Sequence, residues 1–80
     1  MNNEQKLQAA FTEALGLPAN ADVQQLTYNS ISEWDSIAHM ALVAQLDDQF
    51  DIMLDTDDII DISSFAKAKE VLGKYGVDFA

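Results

Sequence analysis

Eighty residues, 49% of them hydrophobic, suffice for one small core, so residues 1–80 are expected to form a single domain. Fourteen acids against four lysines give a net charge of −10, a field that repels nucleic acid and anionic membrane and draws basic protein surfaces. Without Cys there is neither a disulfide framework nor a zinc–thiolate site; no apolar run nears the ~20 residues of a membrane span, and no signal-peptide layout opens the chain, so a cytoplasmic protein is expected.

Asn2 or Asn3 can cap a first helix, with Glu4 in its favourable first turn. Leu7, Phe11 and Leu15, filled in by Ala10 and Ala14, recur on one face, and Gly16 then Pro18 stop the helix. Leu17 to Asp35 is longer than the roughly two to eight residues usual between packed helices. Val23, Leu26, Tyr28, Ile31 and Trp34 recur along it. The connection is therefore expected to lie across the bundle with those side chains tucked in, and with one short turn at Asp22–Leu26.

Ser36 stands where this loop gives way to a strongly helical pattern running to Gln49. Free N–H groups and the positive end of a helix dipole favour a phosphate there. Ser36 can be a cap or a site of modification; equally, Asp35 can cap and leave Ser36 free. At ~100° per residue, Leu42, Val43, Leu46 and Phe50 share one face, with His39 on its edge. Ile37, Met40 and Ala44 form a second, narrower stripe, bordered by Ser36 and Asp47 on one side and Asp48 on the other. A helix in a small bundle needs one buried face, so the second stripe is either a docking surface or is covered by the loop.

Thr56 can cap a short helix through Asp61, with Asp57 and Asp58 at its positive end and Leu54, Ile59 and Ile62 facing inward. Ser63 or Ser64 then caps a last helix in which Phe65, Ala68, Val71, Leu72 and Tyr75 recur at helical spacing, ended by Gly76. Lys67, Lys69, Glu70 and Lys74 make its wet face, with Lys74 suited to the negative end. The fold class is all-α, a small four-helix bundle of three main helices and one short one.

Three chemistries compete for this arrangement. Asp35, Ser36 and His39 have the residue types of a hydrolase triad, but one helical turn gives them poor geometry, and His39 reads better as a packed, hydrogen-bonded side chain. The acidic run from Asp51 to Asp61 fails the calcium-loop pattern, because the ligand alternation breaks at Met53 and the central Gly is missing. It implies no dedicated metal site, only weak, non-obligatory binding of divalent ions.

The third chemistry is a covalent carrier. Asp35-Ser36-Ile37, followed by Leu42, Val43, Leu46, Asp47, Asp48 and Phe50, resembles the attachment motif and second helix of an acyl carrier protein, with Ile37 in the place of the usual Leu. The likeness runs over nearly the whole chain in order, spacing, charge and length. It implies that Ser36, preceded by Asp35, receives 4′-phosphopantetheine from coenzyme A through a Mg²⁺-dependent phosphopantetheinyl transferase. It also implies that Ile37, Met40, Ala44, Asp47 and Asp48, with Asp57 and Asp58, meet that transferase, an acyl- or aminoacyl-loading ligase, and downstream transferases or synthases. Tyr28, Leu46, Leu54, Ile59, Ile62, Ala68 and Val71 match positions where the family shelters a cargo chain.

There are departures from the family pattern. Fatty-acid carriers commonly place carboxylates where this chain has Ala38 and Ala41, and small residues where it has Trp34. These differences favour a specialised pathway over housekeeping fatty-acid synthesis: polyketide, nonribosomal peptide, amino-acid or surface-glycan modification. The expectation is a freestanding, monomeric carrier, not itself an enzyme. The competing class is an unmodified acidic helical adaptor or inhibitor that binds a basic protein surface.

Overall fold

The computed structural model describes residues 2–79. Its helices are α1 (Asn3–Leu15), α2 (Ser36–Phe50), α3 (Thr56–Asp61) and α4 (Phe65–Lys74). Among the described residues the extended pairing is confined to an isolated bridge between Thr27 and Ser64. The expected small all-α bundle is what forms, and none of its helices is long and apolar enough to cross a membrane.

Asn2 caps α1: its side chain accepts the Gln5 N–H at 2.8 Å, while Gln5 Oε1 accepts the Asn2 N–H at 3.2 Å. Two helix-end donors are thereby satisfied reciprocally. Gly16 closes the helix at φ 68°, a left-handed conformation costly for a side chain with a Cβ. In between, Leu7, Ala10, Phe11 and Leu15 are buried together with Leu42, Val43 and Leu46 of α2 and Phe65, Ala68, Val71 and Leu72 of α4. The Phe11 ring meets Trp34 edge-on at 5.3 Å and Phe65 at 5.0 Å, tilted arrangements that suit the ring quadrupoles.

The long connection lies across the bundle as its apolar spacing predicts. Val23 and Trp34 are fully enclosed, Leu26 and Ile31 half-buried, and Tyr28 remains 40% exposed. Turns close from Ala21 to Pro18, Ser30 to Thr27 and Trp34 to Ile31, and the turn expected at Asp22–Leu26 closes with Leu26 N–H donating to Val23 O at 3.1 Å. Beyond it the backbone is strapped to the α3–α4 junction: Tyr28 N–H donates to Ser63 O at 2.7 Å, and Phe65 N–H to Leu26 O at 3.2 Å.

Three helix starts show which acceptor wins a cap. Asp35, not Ser36, caps α2 by accepting the Ala38 N–H at 2.9 Å. Asp55, in place of the expected Thr56, caps α3 through the Asp58 N–H at 3.0 Å. In both cases a carboxylate lies one residue earlier, and an ionised acceptor at the positive end of a helix bonds more strongly than a hydroxyl. Ser64, with no such rival, caps α4 through Lys67 N–H at 2.9 Å.

Asp58 corrects the reading of α3. Instead of standing outward beside Asp57, it is buried at 6% exposure. Leu54, Asp58 and Ile62 are four apart, so the inward face of this helix includes the carboxylate. Lys74 compensates it: rather than bonding the end of its own helix, its Nζ reaches Asp58 Oδ1 at 2.5 Å.

Candidate functional site

Ser36 is the first helical residue of α2, exposed because Asp35 has taken the capping role. Its Oγ makes no hydrogen bond to any described residue, and the N–H groups of Ser36 and Ile37 precede the helix ladder. Asp35 contributes by fixing this helix start. The chain thus presents a hydroxyl and two backbone donors to solvent at one point.

Beside Ser36 opens an apolar cleft of about 350 Å³ between α2 and α3. Met40, Ile59, Ile60 and Ile62 supply its apolar walls, with Tyr28, Ser63 and His39 completing the lining. Ile60 is 72% exposed and Met40 56%, an uncommon display for large apolar side chains. Such a volume falls at the low end of small-molecule sites, roughly 300–1,000 Å³.

Tyr28, Ile59 and Ile62 were expected in a cargo cavity, and the structure brings these three together at the cleft. Leu46, Leu54, Ala68 and Val71, expected with them, lie elsewhere. All four are packed into the solid core at 6% exposure or less. Leu46, Ala68 and Val71 sit on the buried faces of α2 and α4, and Leu54 is buried just ahead of α3, all within the one hydrophobic core. Ile60, His39 and Ser63 were missed as lining residues, and Met40 was placed on the docking stripe alone. The position of Ile60 beside Ile59 on a short helix was the available signal.

His39 closes the inner side of the cleft. Its Nε2 is 2.8 Å from the Ile59 carbonyl, and its Nδ1 accepts the Trp34 Nε1–H at 3.0 Å. Since a carbonyl can only accept, the proton sits on Nε2. Trp34 stacks on the imidazole with centroids 6.1 Å apart, and Tyr28 meets both rings edge-on. With both ring nitrogens committed and Asp35 bonded to Ala38 N–H, no hydrogen bond joins Asp35, Ser36 and His39 side chains to one another. Trp34, whose size distinguished this chain from fatty-acid carriers, has a structural job as the hub of this bridge.

The other end of α3 is held by a polar clamp. The Tyr75 hydroxyl donates to Asp58 Oδ2 at 2.5 Å and accepts the Asp55 N–H at 3.2 Å. The hydrogen bond from Lys74, then that from Tyr75, holds the Asp58 carboxyl below its ordinary range, with burial opposing. The same carboxylate raises Lys74 and Tyr75 above theirs.

Among the residues expected to meet partners, Ile37 is 80% exposed and Met40, Ala44, Asp48 and Asp57 are also at the surface. The loop does not cover this stripe. Asp58 is excluded by its burial. Asp47 is half-buried and engaged internally: its Oδ1 accepts the Leu54 N–H at 3.1 Å, and its carbonyl accepts the Ile52 N–H at 3.1 Å. It therefore anchors the α2–α3 loop, for which Asp51 adopts a left-handed φ of 53° that Asp tolerates. Among the described residues no group of three or more His, Asp or Glu side chains gathers to hold a metal ion.

Comparison with protein-family models, with curated proteins and with solved structures returns no match for this chain.

Proposed function

We propose that this chain is an acyl carrier protein whose Ser36 accepts 4′-phosphopantetheine. The observation that carries this reading is the exposed Ser36 hydroxyl, without a hydrogen-bond partner among the described residues, at the rim of an apolar cleft, on a chain that resembles the family in motif, order and charge. The transfer forms a Ser36 Oγ–phosphorus bond and breaks the pyrophosphate of coenzyme A. Adenosine 3′,5′-bisphosphate leaves, and the hydroxyl proton passes to a base of the transferase. When bound, the arm supplies the thiol that the sequence lacks and holds cargo as a thioester. Ser36 anchors the phosphodiester, and the N–H groups of the first turn favour its charge.

Ile37, Met40 and Ala44 with Asp48 and Asp57 make the surface that a transferase, a loading ligase and downstream synthases recognise by apolar contact and basic rims. Each ion pair on such a wet rim adds only about 0–1 kcal/mol, yet together they orient encounter and let the partner leave. Ala41 lies exposed where fatty-acid carriers commonly present a carboxylate, which favours a specialised pathway over housekeeping fatty-acid synthesis.

The same exposed stripe favours one reading of another class, an acidic adaptor that binds a basic surface unmodified. Incubation with coenzyme A, Mg²⁺ and a promiscuous phosphopantetheinyl transferase separates the two by intact mass. A gain of one phosphopantetheine, abolished in Ser36→Ala, is expected. No gain with several transferases, together with salt-sensitive partner binding that Ser36→Ala leaves intact, would establish the adaptor instead.

A further inference from the structure

The chain has no Cys, so its thioethers are the only sulfur it offers to an oxidant. Among the described residues these are Met40 and Met53, 56% and 84% exposed. They differ in where they stand. Met40 follows Ser36 by four positions on α2, so the two side chains share one face, and both line the same cleft. Met53 stands apart, in the connection from α2 to α3. The neighbouring Leu54 N–H bonds the Asp47 carboxylate, about three turns or roughly 16 Å along α2 from Ser36.

Resting on the carrier reading, we propose that Met40 is an oxidation site through which peroxide turns down the loading of Ser36. An enzyme that reaches the Ser36 hydroxyl must also seat over the next turn of the helix, where Met40 stands. An unbranched thioether suits such a contact, because it is apolar and adapts its shape to the partner. Hydrogen peroxide changes its character. The Met40 sulfur attacks one peroxide oxygen, an S–O bond forms and the O–O bond breaks. The sulfur is oxidised by two electrons; the transferred oxygen gives up its proton, and the other takes one and leaves as water.

The sulfoxide is polar and chiral, and it disrupts apolar interfaces. Covered by the transferase, its oxygen loses water without a prepared donor, which weakens seating. In the free chain Met40 faces solvent, so the same oxygen stays hydrated and the helices keep their packing. Sulfoxide reductases reverse the step, one enzyme for each epimer, which makes the site a switch. Met53 oxidises by the same chemistry, but too far from Ser36 to touch its loading.

The full unloaded chain is treated with hydrogen peroxide, the peroxide is removed with catalase, and the initial rate of arm transfer from coenzyme A is read by mass. Peptide mapping locates the added oxygens, and each protein is compared with its own untreated form. In the wild type and in Met53→Leu, oxidation should slow transfer on the order of tenfold. Both sulfoxide reductases together should restore the rate, and helical circular dichroism should not change. In Met40→Leu, where Met53 still oxidises, treated and untreated rates should agree. Met40 left reduced while Met53 is oxidised overturns the proposal. So does a Met40 sulfoxide that leaves the rate unchanged, an equal loss in Met40→Leu, or a loss of helix on oxidation. An untreated chain that takes no arm fails the carrier reading itself and this proposal with it, a result that the mass of the untreated sample distinguishes.

Discussion

Across the seam between α1 and α2, Leu7, Phe11, Leu42 and Leu46 exclude water entirely, and Trp34 from the long loop seals one end. The attachment of α3, six residues long, contrasts with this: Leu54 and Ile62 give it a small apolar foot, and polar contacts do much of the rest. His39 bonds its Ile59 carbonyl, and Lys74 and Tyr75 bond its Asp58 carboxylate. The α1–α2 seam depends on close packing that tolerates little change in volume. The α3 wall depends on a few directional bonds, and segments of that kind open locally at lower free energy than the core. A carrier that shelters and releases cargo would use the second kind of wall, built on the first.

The comparison breaks most visibly at the seam. Phe11→Ala should cost about 3–5 kcal/mol by removing a large ring from a fully packed site. It should shift the urea midpoint of all helices together. If only part of the helical signal is lost early, the seam is not the common foundation. Trp34→Phe is the next smaller cut, keeping most of the ring volume while leaving His39 Nδ1 without its donor. A loss of about 1–3 kcal/mol is expected, with hydrogen exchange quickening first at Ile59–Ile62. Exchange that quickens equally in α1 would show that the bridge supports the core rather than α3.

A still more local change should follow from the clamp. The Asp58 carboxyl, held below its ordinary 3.8, contributes stability above that value and loses it as pH falls through the lowered one. Lys74 and Tyr75, raised above 10.5 and 10.0, contribute below those values and lose their share as pH rises through the raised ones. α3 amides should therefore be best protected from roughly pH 4 to 10, after correction for intrinsic exchange, and loosen on both sides. Asp58→Asn should flatten the acid limb, and an unchanged acid limb would remove the clamp from the account. The smallest effect belongs to Met40→Glu, within about 0.5 kcal/mol because Met40 faces water, although arm transfer should slow. Loss of helical circular dichroism there would contradict the faces of α2.

Much of this was legible in residue spacing. The buried face of α2, the outward stripe at Ile37 and Met40, the Gly16 stop and the tucked loop all follow from periodicity and turn chemistry. What sequence did not reveal depends on through-space partners. Spacing by four put Asp58 on the face of Leu54 and Ile62, but only the fold brings Lys74 and Tyr75 to it. The cap of α3 was also misplaced at Thr56, because the neighbouring Asp55 carboxylate is both charged and the better N-cap residue. The cargo positions carried over from the family divided the same way. Tyr28, Ile59 and Ile62 reach the cleft, while Leu46, Leu54, Ala68 and Val71 serve the core, because packing density is a property of the assembled bundle.

The most direct test of the carrier account is mass analysis of the protein isolated from its native cell, resolved to the peptide that contains Ser36. The account predicts phosphopantetheine on Ser36, with part of the population carrying a thioester released by hydroxylamine. Ser36 found unmodified, in protein held in a stable complex with a basic partner, would contradict it.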